Sequence, residues 1–176
     1  MIGAVTVGPA FARAAAVAGY ATVLEDVSRE MLERGVGWIR ESLRGDVERG
    51  LVAQDLAEAA LGRITTTGRV EDAVRDADLI VEAVPEELEM KLELFTVFDK
   101  FAKPGAIFAS TTETLSILAI SDVTICRERC VGMRLRGGAM EMVRTRLTSE
   151  ETVRRCEGVA RRMAGEFRWV ADVAGV

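Results

Sequence analysis

The pattern of apolar and polar positions predicts a chain in which short strands alternate with helices. Apolar runs rich in β-branched residues mark the strands, and amphipathic segments with a helical repeat mark the helices. The pattern predicts strands at residues 2–7, 21–26, 64–67, 78–84, 106–110, 129–135, 140–144 and 167–173. It predicts helices at residues 10–19, 28–43, 53–61, 69–77, 86–102 and 148–165. This order is typical of an α/β fold with a doubly wound, mostly parallel sheet and helices on both faces.

The length and hydropathy of the chain favour one domain in the cytoplasm. The chain has 176 residues, enough to bury a sizeable core, and we expect a single domain over residues 1–176. Hydrophobic residues make up 49% of the chain, but no apolar run approaches the roughly 18 residues that a membrane span needs. The first residues lack the basic segment and cleavage site of an export signal. We therefore expect a soluble, cytoplasmic protein without a membrane partner.

The charged and metal-binding residues exclude several kinds of partner and chemistry. The net charge of −5 argues against a nucleic-acid partner, because phosphate binding needs a clustered excess of cations. Cys126, Cys130 and Cys156 lack the spacing of metal ligands, so we expect no metal site. The sequence contains no histidine, which excludes any acid–base mechanism that depends on an imidazole in this chain.

Several segments together resemble the NAD-binding domain of the 3-hydroxyacyl-CoA dehydrogenases. They follow the family's order almost to the C-terminus: AGYATVLEDVSREMLERG, RITTTGRVEDAVRDADLIVEAVPEELEMKLELF, AIFASTTETLSI, VGM and LTSEETVRR. The resemblance implies a Rossmann-like fold, descent from enzymes that act on acyl thioesters, and NAD as the ancestral cofactor. In the family an all-helical domain follows this one, and we expect that domain to be absent.

The start of the chain matches the family's dinucleotide-binding loop incompletely. A working G-x-G-x-x-G loop uses its middle glycine to bring the backbone close to the pyrophosphate. In an ungapped alignment Gly3 and Gly8 match the outer glycines and Val5 replaces the middle one. In the alignment that we favour, residues 4–8 form the strand and its first glycine, and about five residues of the loop are deleted. Either alignment leaves a remnant, so we expect no cofactor, although Asp26 matches the acid that the family places on the adenosine ribose.

The reacting centre of the family has changed as well. Arg134 stands where the family has its histidine, Glu113 where it has a serine, and Thr111 where it has an asparagine. Glu141 falls on the glutamate that pairs with that histidine. A guanidinium stays protonated at neutral pH and cannot replace histidine as an acid and base. We therefore infer that the family's oxidoreductase mechanism does not operate in this chain.

Two further charged residues match positions near the family's nicotinamide site. These residues, Glu86 and Lys91, are ancestral cofactor-binding candidates. Both lie on a predicted amphipathic helix, where exposed charges are ordinary, so a purely structural role is the alternative.

The function that we infer from the sequence is cofactor-independent acid–base or electrostatic catalysis. The substrate would be a small 3-oxoacyl, 3-hydroxyacyl or polyketide-like molecule that is cyclised, isomerised or cleaved by elimination. The catalytic residues would converge on an apolar pocket: Glu113, Arg134 and Glu141, lined by Met133, Leu135 and Met140. Loss of the helical domain should expose apolar surface, so we expect a homo-oligomer.

Three alternatives remain open at this point. Glu113 and Arg134 can form a compensating ion pair with no chemistry. The chain can be a non-catalytic binding or structural protein, or it can be an NAD-dependent 3-hydroxyacyl-CoA dehydrogenase.

Overall fold

The computed structural model describes residues 1–5 and 7–172. The α-helices are α1 (Val7–Val17), α2 (Arg29–Glu48), α3 (Gln54–Gly62), α4 (Val70–Val74), α5 (Leu88–Phe101), α6 (Ile117–Ser121) and α7 (Glu150–Met163). The strands are β1 (Thr22–Glu25), β2 (Ile64–Thr67), β3 (Leu79–Glu82), β4 (Ile107–Ser110), β5 (Cys130–Arg136), β6 (Ala139–Arg144) and β7 (Phe167–Ala171). A 3-10 helix, Arg127–Arg129, precedes β5. Val173, the last position of the predicted final strand, lies outside the described residues.

Residues 1–73 form one compact unit, which is built on the parallel pair β1 and β2. The register sets Thr22 beside Ile64, and Ile2 makes a parallel bridge to Glu25 on β1. The helices of this unit are amphipathic, and their apolar faces meet in a core. The buried members of this core are Ala4, Ala12, Ala16, Leu24, Leu32, Ile39, Leu43, Ala57 and Ala60.

The start of the chain follows the ungapped alignment, so the prediction of a deleted loop is wrong. Ala4 and Val5 are not in a strand, and α1 already begins at Val7. The strand position beside β1 is taken by Ile2 instead. The alanine-rich run after Pro9 favours helix, and proline is tolerated in the first turn, where backbone N–H groups have no partner within the helix. The loop that joins strand to helix is therefore retained.

The described residues from Val74 onward form the second compact unit, and their strands make one sheet of order β3-β4-β5-β6-β7. The pairs β3–β4, β4–β5 and β6–β7 are parallel, whereas β5 and β6 form an antiparallel hairpin. Gly137 and Gly138 make its turn with φ values of 56° and 93°. A two-residue type I′ turn requires positive φ at both positions, which glycine adopts without steric cost. The hairpin sets Arg134 directly opposite Glu141.

An aromatic cluster holds α5 against β4 in the second unit. The ring centroids of Phe95, Phe98 and Phe108 lie 5.4 to 6.1 Å apart, and Phe108 meets the other two edge to face. All four residues of β4 are buried, as expected for a parallel strand covered on both faces. This packing fixes the carboxyl ends of β3 and β4, where polar side chains gather.

The predicted α/β class and the mostly parallel sheet are confirmed. Sequence reasoning missed α6, a five-residue helix that Ser116 caps by accepting a hydrogen bond from Ala119 N. A single domain over residues 1–176 stays a prediction. In the described part of the chain, no helix has both the length and the apolar character to cross a membrane.

Candidate functional site

In the first unit, the backbones of Gly3 and Gly8 approach each other closely, and these residues match the outer glycines of a dinucleotide-binding loop. Gly3 has φ of 94°, a conformation that favours glycine. A Cβ added to Gly8 would lie 1.7 Å from the Gly3 carbonyl oxygen, so only glycine fits there. Gly35 on α2 is also tight, because its Cβ would lie 3.1 Å from the Ala4 carbonyl oxygen. Val5, in the middle-glycine position, is 67% exposed.

Asp26 follows β1 and connects this loop to the start of α2. Its carboxylate accepts hydrogen bonds from Ala4 N at 3.0 Å and from Ser28 N at 2.9 Å. Ser28 in turn caps α2 by accepting from Met31 N at 3.3 Å. An ionised carboxylate has about four lone-pair sites, so these two bonds leave capacity for a ligand hydroxyl. The outer glycines and Asp26 therefore fit a dinucleotide, and Val5 is the residue that departs from the pattern.

Glu25, which precedes Asp26, is a buried acid that sequence reasoning did not single out. It is 4% exposed. Burial, together with the neighbouring charges of Asp26 and Glu71, raises the pKa of Glu25 to about 7. Glu25 thus titrates near neutral pH, in a chain without histidine.

The second unit contains a buried ionic cluster at the carboxyl end of β3. The side chains of Glu82 and Lys91 are both fully buried. Lys91 Nζ donates to both carboxylate oxygens of Glu82 at 3.0 Å and to the Val84 carbonyl oxygen at 3.3 Å. Ser110 Oγ at the end of β4 also donates to Glu82. Lys91 is therefore not one of the exposed helix charges that the sequence suggested.

Glu86 lies before α5 and holds the loop that follows β4. Its Oε1 accepts from Thr112 Oγ1 at 2.5 Å, from Glu113 N and Thr114 N at 2.8 Å, and from Thr114 Oγ1 at 3.0 Å. Its Oε2 lies 3.6 Å from Lys91 Nζ. Partial burial alone would raise the pKa of Glu86, but these hydrogen bonds outweigh it and lower the pKa to about 2. Glu86 is thus an ionised acceptor that fixes the loop.

The predicted site residues Arg134 and Glu141 form an ion pair across β5 and β6. Arg134 Nη1 donates to Glu141 Oε1 at 2.9 Å, and Arg134 Nε donates to the Thr112 carbonyl oxygen at 2.5 Å. Arg168 on β7 donates its Nε to Glu141 Oε2 at 3.0 Å. Hydrogen bonds from Arg168 and then Arg134 lower the pKa of Glu141. Glu141 is ionised at neutral pH and holds Arg134 in a fixed orientation.

Glu113 does not form the ion pair with Arg134 that was the structural alternative to catalysis. Its side chain is about half exposed and pairs with Arg136. The predicted lining of Met133, Leu135 and Met140 is also wrong. Side chains alternate between the two faces of a sheet, so these residues lie on the face opposite to Arg134 and Glu141. Met133 and Met140 are fully buried in the core instead.

Sequence reasoning missed three polar residues that contact the candidate site residues Lys91 and Glu141 or their partners. Glu82 ends a run of apolar strand residues, and an acid that closes a buried strand is the signal that could have found it. Ser110 ends β4 in the same way, beside Glu82 in the parallel register. Arg168 left no local signal, because its contact with Glu141 depends on the pairing of β6 with β7.

The retained loop, the acid after β1 and the parallel strands define a Rossmann-like dinucleotide-binding domain. The family model described as 3-hydroxyacyl-CoA dehydrogenase, NAD binding domain, matches residues 1–168. The chain belongs to this family.

Relatives and solved structures agree with this assignment. The chain is 31% identical over 178 residues to the probable 3-hydroxybutyryl-CoA dehydrogenase of Bacillus subtilis, covering 98% of this chain and 62% of that protein. It is 32% identical to the human mitochondrial hydroxyacyl-coenzyme A dehydrogenase, with 86% of this chain and 52% of that protein covered. The crystal structure of FadB2 from M. tuberculosis matches with a TM-score of 0.92 at 28% identity, covering 99% of this chain and 63% of that one. The chain thus spans between about half and two thirds of these relatives.

These relatives overturn the inference of a cofactor-independent cyclase, isomerase or polyketide enzyme. The relatives from Bacillus subtilis, Homo sapiens and Deinococcus radiodurans are named as 3-hydroxybutyryl-CoA or hydroxyacyl-coenzyme A dehydrogenases. The physical basis of the error is twofold. The dinucleotide loop is present rather than deleted, Glu113 pairs with Arg136, and the predicted apolar lining lies on the other face of the sheet.

Proposed function

We propose that this chain is the dinucleotide-binding domain of an NAD-dependent 3-hydroxyacyl-CoA dehydrogenase. The observation that carries the proposal is the pairing of the Gly3–Gly8 approach with the Asp26 carboxylate. A turn this tight lets a helix N-terminus face a pyrophosphate, and an acid after the next strand accepts from ribose hydroxyls. The names of the relatives support the substrate class, a small acyl-CoA thioester.

Val5 weakens this binding without removing it. The middle glycine of the loop is the position at which the backbone approaches the pyrophosphate, and a side chain there holds the phosphates farther away. Because the side chain of Val5 is exposed, it has room to rotate, and Gly3 and Gly8 keep their close approach. We expect affinity for NADH to be lower than in a variant with glycine at this position.

When bound, NAD would provide hydride-transfer chemistry at the 3-carbon of a 3-oxoacyl or 3-hydroxyacyl substrate. The chain's own contribution is the fixed cation of Arg134. Two of its nitrogens are held by Thr112 and Glu141, which leaves the third to donate to the 3-oxygen. A cation at that oxygen stabilises the negative charge that develops on reduction. Arginine keeps its proton, so the proton that completes the alcohol comes from water.

Calorimetry with NADH tests the nucleotide site. We expect wild-type chain to bind, Val5→Gly to bind on the order of tenfold more tightly, and Asp26→Asn to bind on the order of tenfold less tightly. Gly37→Ala is the matched control, because its added Cβ meets nothing within 4 Å and should leave the affinity unchanged. Absence of heat from both the wild type and Val5→Gly at millimolar NADH would refute the proposal.

Turnover tests the second half of the proposal. NADH oxidation with acetoacetyl-CoA measures it. Arg134→Ala should lower kcat by about a hundredfold while NADH affinity stays the same.

A second candidate is a domain that binds the dinucleotide without turnover. The ion pair of Arg134 and Glu141 favours it, because these residues stand where the family has its histidine and glutamate and already satisfy each other. NADH binding without detectable oxidation, unaffected by Arg134→Ala, would select this function over the dehydrogenase.

Assembly as a homo-oligomer and residence in the cytoplasm remain part of the proposal. Light scattering checks the first: a mass above that of a 19.1 kDa monomer at micromolar concentration is expected.

A further inference from the structure

The Glu141 carboxylate is shared between two arginines, one on each of its oxygens. Arg134 Nη1 donates to Glu141 Oε1 at 2.9 Å. Arg168 donates to Glu141 Oε2 twice, from Nε at 3.0 Å and from Nη2 at 2.5 Å. The strand pairing sets up this sharing, because Glu141 on β6 lies opposite Arg134 on β5 and beside Arg168 on β7. Glu141 therefore holds Arg134 through one oxygen only.

An isolated pair of arginine and carboxylate favours a different arrangement. The planar guanidinium presents parallel N–H groups, and such pairs frequently form two parallel hydrogen bonds. Here Arg168 occupies the second oxygen of Glu141, and Arg134 spends its Nε on the Thr112 carbonyl oxygen. Among residues 1–5 and 7–172, none accepts a hydrogen bond from Arg134 Nη2. That nitrogen keeps its N–H groups for a ligand.

We propose that Arg168 is a positioning residue that keeps Nη2 of Arg134 available to the substrate oxygen. The inference rests on the proposed function, in which that nitrogen donates to the 3-oxygen of the substrate. Without Arg168, Oε2 of Glu141 loses both of its donors and turns to Nη2 of Arg134. The pair then becomes bidentate, and the nitrogen that should meet the substrate is drawn into the pair.

The burial of the three side chains explains why Arg134, and not water, replaces the lost donors. Only 11% of the Arg134 and Glu141 side chains is exposed, against 73% of the Arg168 side chain. A largely buried carboxylate oxygen that loses its donors is costly, so it takes the donor that is nearest. Arg168 itself reaches Glu141 from the solvent side and acts without touching the substrate.

The charge of Arg168 offers a competing explanation for any effect on catalysis. Two guanidinium groups on one carboxylate leave a positive charge, which by itself stabilises a negative substrate oxygen. The variant Glu141→Gln separates the two explanations, because an amide has only one oxygen and cannot accept two parallel bonds from Arg134. If Arg168 acts by occupying Oε2, then Arg168→Met should have little further effect in a Glu141→Gln chain. If Arg168 acts by its charge, the effect should persist there.

Crystal structures of the wild type and of Arg168→Met give a test that does not require turnover. We expect one hydrogen bond between Arg134 and Glu141 in the wild type and two in the variant, with Arg134 Nη2 as the second donor.

Kinetics with NADH and acetoacetyl-CoA give the second test. Arg168→Met should lower kcat on the order of tenfold and change KM less, because the bond from Arg134 strengthens as charge develops on the oxygen. Arg168→Lys should stay within about twofold of the wild type, since an ammonium still donates to Oε2. Arg144→Met is the matched control. It removes the same charge from an exposed arginine on the opposite face of β6, so it should leave kcat unchanged.

Four results would overturn the proposal. They are a single hydrogen bond between Arg134 and Glu141 in Arg168→Met, an unchanged kcat in that variant, an equal loss of kcat in Arg144→Met, and an undiminished loss in the Glu141→Gln chain. An NADH affinity equal to that of the wild type shows that each variant has folded. A wild type that binds NADH without turnover would refute the proposed dehydrogenase instead, and the two structures would still decide whether Arg168 sets the geometry of Arg134.

Discussion

Replacing Lys91 by methionine should destabilise the chain far more than the loss of an ordinary surface charge. The change keeps the length of the side chain but removes the cation that neutralises Glu82. Both side chains are fully buried, and three hydrogen bonds of 3.0 to 3.3 Å join Lys91 to Glu82 and Val84. Removing one partner of a buried ion pair leaves an uncompensated charge, which costs about 3–5 kcal/mol. We expect a loss of that size in the free energy of unfolding.

The double variant Lys91→Met with Glu82→Gln separates this cause from simple loss of packing. Glutamine removes the stranded charge and can still accept the hydrogen bond from Ser110, so the double variant should recover at least half of the loss. Arg29→Met is the exposed control. It breaks a pair with Glu33 in which 92% and 66% of the two side chains are exposed, and it should cost less than about 0.5 kcal/mol.

Urea unfolding measures all three variants against the wild type. Far-ultraviolet circular dichroism follows the whole chain, and the slope of each curve shows whether the unfolded state has changed. If Lys91→Met costs no more than Arg29→Met, or if the double variant is no more stable than the single one, then a stranded carboxylate is not what destabilises the chain.

Two further predictions concern the first unit. Gly8→Ala places a Cβ 1.7 Å from the Gly3 carbonyl oxygen, so it should lower the free energy of unfolding by about 1–3 kcal/mol and abolish the NADH binding measured by calorimetry. The control variant Gly37→Ala should not destabilise the chain. Equal melting temperatures for the two variants would contradict the close approach of Gly3 and Gly8. Because the pKa of Glu25 is raised from 4.5 to about 7, the folded state keeps a proton there that the unfolded chain has released, and stability should fall as pH rises from about 4.5 to 7. Urea midpoints at pH 5 and pH 8 should show that the wild type loses more stability over this range than Glu25→Gln, and an equal loss in both would remove Glu25 as the cause.

The local pattern of apolar and polar residues predicted most of the fold, because most helices and strands begin and end at residues that favour such boundaries. Ser28 and Ser149 cap α2 and α7, as residues with short side-chain oxygens do before a helical repeat. The prediction for the N-terminus was wrong because residues 1–8 can be aligned with the family's loop in two ways. The two alignments differ in the tertiary contacts that they imply, and local helix and strand propensities do not distinguish them. The contact between Gly8 and the Gly3 carbonyl oxygen distinguishes them, and the sequence alone does not display it.

The candidate site was only partly predictable, for a related reason. Arg134 and Glu141 face each other because a hairpin joins them, and a hairpin can be read from the paired glycines of its turn. Lys91 and Glu86 were cofactor-binding candidates with exposed helix charges as the alternative, and that alternative is wrong for Lys91, which is fully buried. Their partners come from other elements: Glu82 from the end of β3, and Thr112 and Thr114 from the loop after β4.

The two-residue turn of the β5–β6 hairpin also bears on how this family can evolve. With the turn fixed, each residue of β5 has one set partner on β6, and a slip of one residue would turn every side chain to the other face. Position 134 therefore stays opposite Glu141 whichever side chain it carries, and a single base change can convert an arginine codon into a histidine codon. Point mutation can therefore exchange a permanent cation for a titratable base at a position that faces Glu141.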